Sequence, residues 1–287
     1  MNATGASAPA DRPAGHGALG SVPASWTQAL LMSRYQFRDY LRSRRFVLMM
    51  SIVAVISAIL ITLIVHYRPA GIIGSSTAFY GTLWPGGVGV LIVFAGVIFG
   101  GDAIAGEFQN KTGYFLMGLP IKRWSVYAGK YLAAFAASLV TILIYLIVLI
   151  GFGATYFGGG VLSLALFESL LLAILYLSAL LGTVFLFSSL FKTSMYGVLV
   201  VAVLFLFGFT IINTLLEDLI GLEPWFIVTY ANPIIGYPFS GVPQHIGRFG
   251  GVTTYNPTYL EGIIILVAYF LWTTLLGLAL FEREEFT

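Results

Sequence analysis

Two carboxylates five residues apart, Asp102 and Glu107, are the first residues whose spacing suggests chemistry. Paired carboxylates can act as general acid and base or hold a cation, but both tasks usually enlist a histidine or a third ligand. The three histidines, His16, His66 and His245, have no second His or carboxylate at i+3 or i+4, and the chain contains no Cys. Thiol-ligated metals and disulfides are excluded, and the expectation is neither a metal site nor a catalytic residue. A GxxxxGK[ST] loop is also missing, so the chain cannot cradle nucleotide phosphates in that way. Glu168 and Glu261 read as carboxylates at a membrane surface, not as proton relays. The informative polar residues gather in two segments, 26–45 and 101–130, so their meaning depends on the elements around them.

Those elements are apolar. Of 287 residues, 59% are hydrophobic and 9% charged, whereas a soluble domain carries about 25% charged residues. Six runs without Asp, Glu, Lys or Arg span 46–65, 83–100, 132–152, 169–190, 195–213 and 262–281. Each matches the roughly 20 residues needed to cross a hydrocarbon core as a helix. The runs are continuous, not alternating, which excludes a transmembrane barrel. The expected fold is an all-α polytopic membrane protein with six transmembrane helices. Arg34, Arg38, Arg42, Arg44, Arg45, Lys111, Lys122, Arg123, Lys130, Lys192 and Arg283 fall on one side of this layout, against Arg68 and Arg248 on the other. By the positive-inside rule both termini are cytoplasmic, in a cell membrane crossed six times. A formal charge of +2 gives no reason to expect nucleic acid as a partner.

Residues 1–25, rich in Ala, Gly, Pro and Ser, read as a disordered cytoplasmic tail without the apolar core of a signal peptide. In 26–45, at about 100° per residue, Trp26, Leu30, Phe37 and Leu41 share one helical face beside a stripe of Arg34, Arg38, Arg42 and Arg45. That pattern predicts an amphipathic helix in the plane of the headgroups. The 101–130 loop mixes charges with Phe108, Tyr114, Phe115, Leu116 and Met117, and Gly113 and Pro120 punctuate it into two short helices. A long proline-rich segment, 214–259, is expected on the outer side, dipping back into the bilayer. Gly96-x3-Gly100 permits close helix approach at a dimer contact or path. Tyr145 and Tyr176 lie mid-span, where each hydroxyl needs a partner, either another helix or a translocation path.

The spacing Asp102-x4-Glu107-x5-Gly113-x6-Pro120-x2-Arg123-x6-Lys130 resembles the ABC-2 family of ABC-transporter permeases. The wording Gly106-Glu107-Phe108 and Leu119-Pro120-Ile121-Lys122-Arg123 is similar, as are the six-span layout, the amphipathic N-terminal helix and the charged tail Phe281-Glu282-Arg283. The likeness covers nearly everything after residue 26, as one transmembrane domain over 26–287.

The resemblance implies a permease subunit with no catalytic residue and no cofactor of its own, served by ATP and Mg on a separate cytoplasmic ABC ATPase present in two copies. It implies pairing with a second, identical permease and a coupling helix within 102–118 that rests in a cleft of the ATPase. Asp102, Glu107, Lys111, Phe115 and Arg123 are the candidate coupling residues, with the interfacial helix (Trp26, Arg34, Phe37, Arg38, Arg42) beside them. An ATP-driven exporter of an amphipathic or lipidic substrate is the expected function. The rival is an ATP-independent secondary transporter or channel, which generally places ionisable groups inside the bilayer; the six runs have none.

Overall fold

The computed structural model describes residues 24–110, 121–158, 163–249 and 252–283. Seven long helices dominate: α1 (Ser25–Arg42), α2 (Arg44–Tyr67), α3 (Ser76–Gln109), α4 (Arg123–Phe157), α5 (Leu164–Leu190), α6 (Ser194–Ile220) and α7 (Tyr259–Arg283). The last six are long and apolar enough to span a membrane, and each contains one of the expected runs. The chain is thus an all-α polytopic membrane protein. A small hairpin, β1 (Ile246–Phe249) against β2 (Val252–Tyr255), pairs Ile246 with Tyr255 in antiparallel register.

Local chemistry sets the helix ends. Ser43 closes α1 by donating its N–H to Tyr40 O, and its Oγ accepts the Phe46 N–H at the start of α2. Ser75 Oγ accepts from Ala78 N at 3.1 Å, and Ser163 Oγ from Leu166 N at 3.3 Å. At α7 the bonds are reciprocal: Glu261 N donates to Thr258 Oγ1 while Thr258 N donates to Glu261 Oε2, a capping box. Gly158 and Gly221, both at φ 65°, take the positive-φ conformations that end α4 and α6, Gly221 in the left-handed helical region.

The helices overrun the apolar runs that announced them. The 35 residues of α4 extend about 52 Å at 1.5 Å per residue, well beyond a hydrocarbon core about 30 Å thick. Its first turns, with Ser125, Gly129 and Lys130 buried, are the surface on which α1 packs. Likewise, α6 continues past Asn213 through Glu217 and Asp218.

Two helices lie at the centre. Burial reaches 67% of the apolar window of α3 and 61% for α5, against 17% for α6 and 22% for both α2 and α7. Close approach at this centre depends on glycine. A Cβ on Gly87 of α3 would overlap the Tyr145 hydroxyl, and one on Gly153 of α4 would overlap the Tyr80 hydroxyl. Each helix therefore seats a tyrosine in the other's glycine gap. Gly96 and Gly100, in a π-turn of α3, meet Leu180, Val184 and Phe185 of α5. The close approach allowed by this pair is thus made within the chain.

Between α6 and α7, a 3-10 helix, Val228–Gly236, inserts beside α3, with Asn232 against Gly89 and Gly236 against Pro85. Both positions fall inside the second apolar run, and Val228, Tyr230, Ala231, Ile234 and Ile235 are buried. Trp84 Nε1 donates to Ser169 Oγ at 2.9 Å, and Ser169 Oγ donates onward to Ile235 O. This relay ties α3, α5 and the inserted helix together and satisfies a buried backbone carbonyl.

Candidate functional site

The strongest concentration of charge lies where α1 meets the basic starts of α2 and α4 and the acidic end of α3. Arg45 grips Asp102 in bidentate fashion, Nη1 to Oδ1 at 2.6 Å and Nη2 to Oδ2 at 2.5 Å. Ser194 Oγ at the start of α6 donates to the same Oδ2 at 3.0 Å. One turn on, Lys130 of α4 donates to Glu107 Oε1 at 2.5 Å and to Ala103 O at 2.9 Å. The Lys130 and Glu107 side chains are only 6% and 15% exposed. Such buried charges persist only when paired and hydrogen-bonded.

The backbone between the pairs is held as firmly. Ser188 Oγ accepts the N–H groups of Ile104 and Ala105, and Gln109 Oε1 accepts that of Ser194. Tyr40 donates to Phe99 O at 2.8 Å. Burial, and then the charge of Asp102, push its phenol above the ordinary tyrosine range, keeping it a donor. A polar cavity of about 240 Å³ lies among Gln36, Asp39, Tyr40, Gly106, Asn110 and both ion pairs. The turn at 101–110 is thus clamped to α2, α4, α5 and α6 together.

The expected site residues distribute unevenly around this clamp. Asp102 and Glu107 are in it, turned towards Arg45 and Lys130. Arg123 starts α4 and donates to Glu282 O at 2.7 Å, satisfying a carbonyl at the end of α7. Lys111 and Phe115 lie outside the described residues. On α1, Trp26 (66% exposed), Leu30 and Leu41 face outwards, as do Arg34, Arg38 and Arg42, whereas Phe37 packs against the core. The buried side of α1 is instead Ala29, Met32 and Tyr40, with Met32 and Ala29 against Gly129. The helix thus has three sectors: bundle, exposed apolar and arginine.

Tyr145 donates to Leu83 O at 2.8 Å and stacks on Trp84, so its hydroxyl makes a helix-to-helix bond. Tyr176 lines a cavity of about 370 Å³ towards the end opposite the clamp, with Gly89, Phe205, Asn213, Thr229 and Asn232. Asn213 Nδ2 donates to Thr229 Oγ1, while the buried amide oxygens of Asn213 and Asn232 have no hydrogen-bond partner among the described residues. A larger, mainly apolar groove of about 720 Å³ runs between α2, α3 and α6, lined by Leu48, Val97, Val198 and Leu199 with Arg44 and Arg45 at its basic end.

The motif residues 102, 107 and 130 therefore meet in one clamp, with Arg123 tying α4 to α7, beneath an apolar helical bundle, and a family model described as ABC-2 family transporter protein matches residues 32–286. The chain belongs to the ABC-2 transporter family. It is a multi-pass membrane permease, a transport component and not itself catalytic, and its family implies association with an ABC ATPase. No curated protein matches this permease.

The sequence alone does not reveal Arg45 and Ser194 as partners of Asp102, nor Tyr40 as the donor to Phe99 O beside them. Only Arg45 carried a signal, as the last member of the arginine stripe. Asn213 and Asn232 were equally silent, the first as the end of an apolar run and the second within a proline-rich segment.

Proposed function

We propose that this permease is the membrane half of an ATP-driven exporter, pairing with a second identical chain and two cytoplasmic ATPase subunits that carry ATP and Mg. The observation that carries the reading is the double ion-pair clamp. Arg45–Asp102 and Lys130–Glu107 make the 101–110 turn rigid, and that turn leads directly into segment 111–120. A force applied to Lys111 and Phe115 there would pass through Asp102 and Glu107 into α2, α4 and α6 at once. Arg123 returns the chain from the coupling segment to α4 and holds the end of α7.

The charge asymmetry supports cytoplasmic termini in a cell membrane. The three-sector α1 supports a position at the junction of bundle, lipid headgroups and water, where exposed Trp26 and Leu30 meet lipid and Arg34, Arg38 and Arg42 meet phosphate. Closure of the ATPase pair presses the coupling segment and α1 towards the bundle, and the path opens outwards.

An amphipathic or lipidic substrate fits the apolar groove with its arginine-lined end and the second cavity, where Thr210, Thr214, Glu217 and two amide oxygens unpartnered among the described residues face Val93, Phe205 and Leu206. The deciding experiment is co-purification with the ATPase, followed by Lys111→Glu in the candidate coupling segment, outside the buried ion pairs. The variant should lose ATPase association while still folding in detergent. ATP-independent flux through the chain alone would overturn the reading, as would full association of Lys111→Glu. In proteoliposomes, movement of an inorganic ion alone would overturn the substrate class.

A further inference from the structure

We propose that the outer segment contains a divalent metal site, of the class that takes Zn²⁺, built from Glu223, His245 and Glu261. These residues come from three separate elements: the stretch just after α6, the approach to the hairpin, and the first turn of α7. One ligand atom from each lies within 4.8 Å of the others. His245 Nε2 is 3.4 Å from Glu223 Oε2. In a tetrahedral zinc centre, bonds of 2.0–2.2 Å place neighbouring ligand atoms about 3.4 Å apart, so this edge already has the length a metal requires.

The surrounding hydrogen bonds leave the right atoms available. His245 Nδ1 lies 2.8 Å from Asn256 O, a carbonyl that can only accept, so Nδ1 carries the proton. In the neutral ring Nε2 then bears the lone pair, directly facing a carboxylate oxygen. Two acceptors facing each other need a proton or a metal cation between them. A carbonyl holding the remote nitrogen is the usual way a protein orients a metal-binding imidazole. The carboxylates are held in a similar manner, each by one oxygen. Tyr230 donates to Glu223 Oε1 at 2.5 Å, and Thr258 N to Glu261 Oε2 at 3.1 Å. Glu223 Oε2 and Glu261 Oε1 remain for a ligand.

One nitrogen and two carboxylates, with a fourth position open to water, form a donor set that suits Zn²⁺ better than Ca²⁺ or Mg²⁺, which prefer oxygen alone. A bound ion would join the end of the fifth span to the beginning of the sixth.

The test uses the full chain with any histidine tag removed, in detergent, and Zn²⁺ alone as the probe in competition with a chromogenic chelator. The expected result is one Zn²⁺ per chain and a melting temperature that rises with Zn²⁺. His245→Gln, at an exposed side chain, should melt like the parent without metal and bind Zn²⁺ about tenfold or more weakly. Glu261→Gln should weaken binding similarly, while His66→Gln should leave it unchanged. Absence of stoichiometric binding would overturn the proposal, leaving only an imidazolium–carboxylate pair. So would His245→Gln binding as tightly as the parent, or equal affinity for Ca²⁺.

Discussion

Removing one partner of the Lys130–Glu107 pair should destabilise the permease far more than removing both. Glu107→Gln leaves an ammonium that is 6% exposed without its counter-charge, held among the described residues by neutral acceptors such as Ala103 O. Breaking a buried pair in this way costs about 3–5 kcal/mol, because an uncompensated charge stays in a low-dielectric site. Lys130→Met leaves the complementary carboxylate, 15% exposed, and should cost somewhat less because water reaches it more easily. The double variant Lys130→Met/Glu107→Met removes both charges and fills much of the same volume, so it should recover most of the loss. A double-mutant cycle read by unfolding in mixed micelles gives the coupling directly. The double variant also separates stability from coupling: it should fold yet fail to transmit ATPase closure. If Glu107→Gln costs less than about 1 kcal/mol, the pair behaves like a surface ion pair and the clamp reasoning is wrong.

Other perturbations test other joints. Gly87→Ala forces a methyl into the Tyr145 hydroxyl and should cost about 1–3 kcal/mol, visible as a lowered melting temperature; Gly86→Ala, with nothing within 4 Å, should be silent. Arg45→Lys should lose part of the stability that Arg45→Ala loses in full, since an ammonium keeps the counter-charge for Asp102 but cannot reproduce the two parallel bonds. Trp84→Phe breaks the relay through Ser169 and should cost about 1 kcal/mol, with faster amide exchange around Ile235. Tyr40 has a raised folded-state pKa, so its stabilising share is complete below pH 10, near the unfolded value of about 10, and fades as pH rises beyond it. Tyr40→Phe should flatten that part of the alkaline melting profile.

The six spans were legible because lipid leaves a chain few choices. A run without charges must satisfy its own backbone, and a helix does that locally. The extra length was less legible: residues 123–131 continue α4 outside its apolar run, where burial under α1 and not hydropathy keeps them helical. Asp102 and Glu107 could be singled out, but not their surroundings. Arg45 lies 57 positions from Asp102, and Lys130 lies 23 from Glu107, distances over which helical periodicity carries no information. His245 shows the same limit, since its carboxylate neighbours arrive through the fold and not at i+3 or i+4. Gly96 and Gly100 were readable as a place of close approach, yet spacing alone could not say which helix would come close.

The serine that closes α1 and opens α2 also sets a phase. Because one residue separates the two helices, the rotation of the first span is locked to that of the helix before it. A residue inserted at Ser43 would break that phase, so the two packings could not both hold: Tyr40 on Phe99 O with Ala29 and Met32 on Gly129, or Arg45 on Asp102 with Met49, Val53 and Ile64 in the bundle. Insertions in homologous chains should therefore be purged between Tyr40 and Arg45, where length itself sets the geometry.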